Sequence, residues 1–236
     1  MRSFTDGRIE GEIKDALDKE VAACNSEGGL RIQLVTDEPE AFGGFMSRHS
    51  DFSNVRNYIA LVGADNTESR EKLGYYGERL VILAQRLGLN SCWVALTFSK
   101  RKSKVEVGPG EALVCAIALG YGTTQGESHP IKRPDEVSKC GTGVPEWFAK
   151  GVECALLAPT ALMKQNFMFE YRDRKVYATS KGICAPVNLG IVKYHFEVGA
   201  GKDNVVWGRC RQPRIPSVRL TWSSHARPPT YDNCLR

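Results

Sequence analysis

Three stretches of this chain carry residue types and spacings that could do chemistry. The first runs from Ala158 to Phe169, APTALMKQNFMF. A helix would end there, a polar loop follow, and an aromatic strand begin. Small side chains at Thr160 and Ala161 let a planar ligand approach the backbone. Gln165 offers a donor and an acceptor, which suits the alternating edge of a flavin's pyrimidine ring. On composition alone the same residues also read as a tight helix-to-strand turn. The second stretch is LGLNSCWVA, Leu87 to Ala95. It reads either as a helix C-cap followed by a core strand, or as a backbone wall. In the second case Trp93, Val94 and Ala95 would lie against a cofactor ring and donate N–H to a redox-active nitrogen. The third is Tyr121-Gly122 followed by His129, Lys132 and Arg133. Paired cations on a loop after a buried strand could hold a phosphate, or could be solvated surface charge. Arg2 poses the same alternative.

Other enzyme signatures are lacking. The chain has no GxGxxG, no GxxxxGK[ST], no HExxH and no GxSxG. Its histidines, His49, His129, His195 and His225, are scattered and make no metal pattern. His195 lies in an apolar helical run and reads as packed or capped. Without obvious acid–base machinery, the expectation is that a cofactor supplies the reactivity and the protein its placement.

Charge distribution argues against nucleic acid. The net charge is +5, but residues 209–236 hold six Arg, no Lys and one acid, Asp232, and account for all of it. A neutral body with a basic, proline-containing tail is not the footprint of a nucleic-acid-binding fold; the tail reads as a poorly ordered extension. No stretch approaches the ~18 apolar residues of a membrane helix, and no secretory h-region stands at the N-terminus. Eight cysteines without a CxxC pair read as reduced thiols in a cytoplasmic protein.

The elements that must position these residues follow from periodicity. Ile9, Ile13, Leu17 and Val21 predict a helix over about 8–24, and Tyr76, Leu80, Leu83 and Leu87 a second. Leu30–Val35, Tyr58–Val62, Ser91–Leu96 and Ala112–Leu119 read as strands. Residues 123–144 read as a linker. A third helix runs from Pro145 to about Leu157. Phe167–Tyr171 and Lys175–Ala178 form a hairpin, Leu189–Val198 a fourth helix, and Val205–Trp207 a last short strand. The class is α+β. The division is 1–144, 145–208 and the tail 209–236.

In these residues the chain resembles the FMN-dependent nitroreductase family, and more narrowly the group in which one chain carries two half-domains and mimics the usual dimer. The matching segments are RSFTDGRIEGEI, NYIALVG, YGERLVILAQRLGLNSCWV, ALVCAIALGYG, PEWFAKGVECALLAPTAL and VNLGIVKYHFEVGAG, in family order over about 2–208. The resemblance implies a nitroreductase-like α+β fold, noncovalent FMN, and NAD(P)H as electron donor. It further implies ping-pong hydride transfer through flavin N5 to a small-molecule acceptor, nitroaromatic or quinone-like, in a monomeric pseudo-dimer or a homodimer. Pro159, Thr160, Ala161, Met163 and Gln165 would border the flavin ring or ribityl chain, and Trp93, Val94 and Ala95 the ring near N5. Lys132, Arg133 and Arg2 would face the phosphate. Three positions depart from the family pattern: Met163 stands for Asn, Asn166 for Pro and Phe167 for Trp. Of the Arg-x-Ser-x-Arg run only Arg2 is present, as expected of a truncated start. These departures imply the alternative of a non-catalytic member with weakened flavin binding, used as a sensor or interaction module.

Overall fold

A computed structural model of the chain describes residues 1–43, 52–126, 128–140 and 143–208. The first helix, α1 (Gly11–Gly28), buries Leu17, Val21 and Cys24 and ends at Gly29, whose φ of 63° closes the helix as a left-handed cap. Strands β1 (Gln33–Val35), β2 (Asn57–Ala64), β3 (Asn90–Val94) and β4 (Glu111–Gly120) make a four-stranded antiparallel sheet in the order β1-β2-β4-β3. The inner strands β2 and β4 are near-continuous apolar runs because both faces are covered. Helix α2 (Thr67–Arg86) is capped by Asn66, whose side chain accepts from the Ser69 N–H.

The remaining residues form a second, smaller layer. A four-residue helix α3 (Pro134–Val137) leads into β5 (Ser138–Cys140), which pairs parallel to β6 (Phe167–Arg172). The hairpin partner is β7 (Lys175–Ser180), across a turn in which Asp173 and Arg174 are left-handed. Helices α4 (Glu146–Ala155) and α5 (Ala185–Ala200) complete this part.

Helices α2 and α5 cross at close range, and glycines set that distance. A Cβ on Gly74 would stand 2.0 Å from the Val187 carbonyl oxygen, and one on Gly190 would stand 1.9 Å from that of Glu71. Across this crossing one apolar core runs continuously from Ile59, Leu61 and Ile117 of the first sheet to Phe169 and Val176 of the second and Phe196 of α5. Phe169 and Phe196 stack with ring centroids 4.7 Å apart. A second cluster, around Phe42, Tyr58 and Phe98, fills the opposite face of the first sheet.

All but one of the predicted helices and strands are found, with shifted ends. The second helix starts at Thr67, nine residues before Tyr76, because Asn66 supplies a cap that apolar periodicity does not register. The stretch 123–144 is not purely a linker. Val137 is fully buried and β5 joins the second sheet. Val205–Trp207 is not a strand: the contact is a single bridge between Val176 and Trp207. The tail 209–236, Gly44, His49 and His225 lie outside the described residues.

Candidate functional site

The loop after α4 is built from its own polar side chains. Gln165, 1% exposed, donates from Nε2 to the Leu156 carbonyl (2.7 Å) and accepts the Lys132 N–H at Oε1 (2.7 Å). The Thr160 hydroxyl accepts the Gln165 N–H at 2.9 Å, and Asn188 Oδ1 accepts the Ala161 N–H at 3.0 Å. Asn188 also donates to the Ile183 carbonyl, which fastens the loop to the start of α5. These bonds over-determine a backbone in which Leu162, Met163 and Gln165 all have φ near +50°. Such a conformation costs about 1–2 kcal/mol for each non-glycine residue. Its outcome is an apolar lip: Leu162 and Met163 project outward, with Leu157 and Ile183 exposed beside them.

The structure turns the Gln165 amide to the protein itself: Oε1 and Nε2 each make one bond to main chain. The other loop residues stand as follows. Pro159 is half-buried, Thr160 buried and hydrogen-bonded, Ala161 tied to Asn188, and Met163 exposed.

Lys132 is brought to this loop. Its Nζ donates to the Gln165 carbonyl at 3.2 Å and its N–H to the Gln165 side chain. Arg133 caps α3, and its guanidinium forms a two-pronged pair with Asp135 at the surface, both contacts at 3.1 Å. The Arg2 guanidinium sits over the Phe52 ring, 5.7 Å from the centroid, and its carbonyl accepts the Ser53 N–H, while the neighbouring Met1 amine donates to the Ser91 carbonyl of β3 at 3.4 Å.

Strand β3 lies at the edge of its sheet, paired only with β4 among the described strands. The outer edge of a terminal strand presents main-chain N–H and C=O groups. Trp93 and Val94 are held from opposite faces. Val94 is buried in the Phe42–Tyr58 cluster. The Trp93 indole packs over Gly77, where a Cβ would come within 2.6 Å of it, and its Nε1–H donates to Glu78 Oε2 at 2.9 Å. Ala95 follows directly on the strand and is half-buried.

Glu78 and His195 were not expected at the site. Glu78 Oε1 meets His195 Nε2 at 2.8 Å, with both side chains buried. Burial disfavours the charged imidazole, but bonds to Cys154 and Glu78 outweigh it and hold the pKa up at about 9. The signal available in the sequence was a single acid and a single histidine, each in an otherwise apolar helical stripe.

Burial first, then Cys184, pushes the Cys115 thiol up to about 12.

Two cavities of about 180 Å³ each lie in the first part of the chain. One is lined by Asp6, Arg8, Thr36, Asp37, Arg56 and Asn57, the other by Pro39, Phe42, Phe52, Asn54 and Val55. Both are smaller than the ~300–1,000 Å³ typical of an enclosed small-molecule pocket.

As a test of fit for FMN, the donor set divides. An edge-strand backbone, small side chains at 160 and 161, and the Lys132 cation suit a flavin ring and phosphate. The Gln165 amide, buried and bonded at each end to main chain, braces the loop. No helix among the described residues is long and apolar enough to cross a membrane.

No curated protein matches the chain. Among solved structures it is similar to a "putative nitroreductase" from Thermotoga maritima, with a TM-score of 0.60 at 20% identity, covering 86% of this chain and 80% of that one. An FMN-dependent nitroreductase from Clostridium difficile matches with a TM-score of 0.42 at 18% identity, over 55% of this chain and 86% of that one. A Desulfovibrio desulfuricans protein, solved in complex with FMN, matches with a TM-score of 0.44 at 12% identity, over 58% and 88%. The model of the family described as "Putative TM nitroreductase" matches residues 1–200. With the α+β fold of two sheets around crossed helices, this match shows that the chain belongs to that nitroreductase family.

Proposed function

We propose that the chain is an FMN-dependent oxidoreductase of nitroreductase type, passing electrons from NAD(P)H to nitroaromatic or quinone-like acceptors. The observation that supports it best is the placement of β3: an edge strand whose Trp93 is clamped from behind by Gly77 and Glu78. FMN, when bound, supplies the redox chemistry.

The residues divide the remaining work. The Trp93–Ala95 main chain offers a rigid, flat row of amides to a ring. Rigidity matters because donors fixed in place need no reorganisation during reaction. Pro159, Thr160 and Ala161 flank the ring from the second part of the chain. Lys132, held to the loop through Gln165, faces the phosphate, and Arg133 joins it by leaving Asp135. The exposed lip of Leu162 and Met163 gives an apolar acceptor a desolvated edge. The division 1–144 and 145–208, a monomeric or homodimeric state and a cytoplasmic setting belong to the same proposal.

The experiment is anaerobic reduction of FMN-reconstituted protein by NADH or NADPH. Bleaching of the visible flavin bands, and their return on adding a quinone or nitroaromatic, supports the proposal. Bound flavin that neither nicotinamide reduces contradicts it.

The engaged Gln165 amide favours a second reading, a nitroreductase-fold protein that has given up tight flavin binding and serves as a sensor or interaction module. Protein that stays colourless after soaking in excess FMN decides for it.

A further inference from the structure

A cavity of about 180 Å³ opens beside the edge strand β1, between the chain leading into α1, the turn after β1 and the start of β2. It shares no lining residue with those assigned to the flavin, so its use is independent of that reading. Its wall includes Asn57, the first residue of β2, which is only 7% exposed. Asn57 Oδ1 accepts the Asp37 N–H at 3.1 Å and so holds the turn after β1. The other half of the same amide is unused: Nδ2 has no hydrogen-bond partner among the described residues. Among those residues, Ser69 Oγ is the one unbonded side-chain atom that protein encloses completely. Asn57 Nδ2 is therefore not sealed in, and the small surface it keeps faces the cavity. A buried amide nitrogen carries two N–H donors, and leaving them unbonded costs free energy.

The charged groups around the cavity say what those donors fit. Arg56 is engaged: its Nε donates to Asn54 Oδ1 at 3.2 Å, and its Nη1 stands 3.7 Å from Asp37 Oδ1. Asp6 accepts from Asn54 at 2.9 Å. The exposed Arg8 guanidinium has neither ion pair nor hydrogen bond among the described residues. Helix α1 begins just past Glu10 without a side-chain cap, so its first main-chain N–H groups add positive potential at the same end. Donors without acceptors and a cation without a counter-charge fit an anion. Three acids on the same wall, Asp6, Glu10 and Asp37, oppose a second negative charge there. The group that fits has a single negative charge and two acceptor oxygens.

We propose that this cavity binds a small molecule through its carboxylate, with one oxygen on Asn57 Nδ2 and the group as a whole paired with Arg8. The volume keeps the ligand small, well below the ~300 Å³ at which drug-sized pockets begin. Simple carboxylic acids and free amino acids share this chemistry. In an amino acid, the ammonium group also gives the exposed Glu10 a counter-charge.

The test titrates the full chain, isotopically labelled at nitrogen, with acetate, with glycine and with inorganic phosphate. NMR follows the Asn57 side-chain amide and the main-chain N–H of Gly7, which also lines the cavity. Acetate or glycine should move both signals saturably, and the tighter of the two tells a simple acid from an amino acid. Phosphate should bind more weakly than that ligand. Asn57→Asp keeps the oxygen that holds the Asp37 N–H and replaces the donor with negative charge. It and Arg8→Gln should each weaken binding by at least about tenfold, read at Gly7. No saturable shift with either carboxylate overturns the proposal. So does phosphate binding as tightly as the carboxylates, or an affinity unchanged in folded Asn57→Asp protein. Should that variant not fold, the titration of the unaltered chain and of Arg8→Gln still decides.

Discussion

Glu78 and His195 face each other across the crossing of α2 and α5, carboxylate to imidazole at 2.8 Å, inside the core that both parts of the chain share. The second carboxylate oxygen takes the Trp93 N–H. One buried pair therefore ties α2 to α5 and, through Trp93, to the strand that walls the candidate site.

Removing one member of that pair strands the other. Glu78→Ala should cost about 3–5 kcal/mol, because the imidazolium is left buried without its counter-charge. Replacing both at once, Glu78→Leu with His195→Phe, should cost less than the sum of the two single changes. Urea unfolding of the three variants measures this, and full additivity would mean that the two groups do not interact.

The pair also sets a pH dependence. His195 is raised from 6.5 to about 9 in the folded chain. A raised pKa contributes stability that is fully present below the unfolded value and lost as pH rises through the folded one. The loss should therefore fall between about pH 6.5 and pH 9 and amount to about 3 kcal/mol. Unfolding midpoints across this window read it, and the drop should shrink in a His195→Phe chain.

Contact between α2 and α5 leaves no room for a methyl group. Gly190→Ala, with its Cβ 1.9 Å from the Glu71 carbonyl oxygen, should cost at least the ~1–3 kcal/mol of overpacking. Gly88→Ala makes a useful contrast: nothing lies near its added Cβ, and its cost comes only from the backbone angle of 80°. Thermal melts of the two should separate crowding from backbone strain.

Much of this fold was legible in the sequence because apolar residues repeat with the period of the element they build. Leu17 and Val21 announce α1, and the run Ala112–Leu119 announces a strand buried on both faces. The missed features are those that periodicity does not encode. Asn66 begins α2 through one side-chain bond. The segment 134–140 is fixed by the buried Val137 and by pairing with β6. At the site, residue type suggested what Gln165 could bond but not which partner would reach it first. Two main-chain groups nearer than any ligand did so. The meeting of His195 and Glu78 depends on two helices brought together only by the tertiary fold.

Met163 offers a direct route to a stronger site. Its φ is 53° and its side chain 54% exposed, so asparagine, which enters the left-handed region more readily, should be tolerated or mildly stabilising there. Asparagine also brings a hydrogen-bonding group to the lip. Met163→Asn should tighten FMN binding by about tenfold if one new bond forms. Flavin fluorescence titration compares the two proteins, and an unchanged affinity would place residue 163 away from the flavin.

The most direct measurement is FMN titration of the full chain followed by flavin fluorescence, with Lys132→Ala alongside. The account predicts saturable quenching at one FMN per chain, weakened when Lys132 is removed. No quenching at any FMN concentration, or quenching indifferent to Lys132, would contradict it.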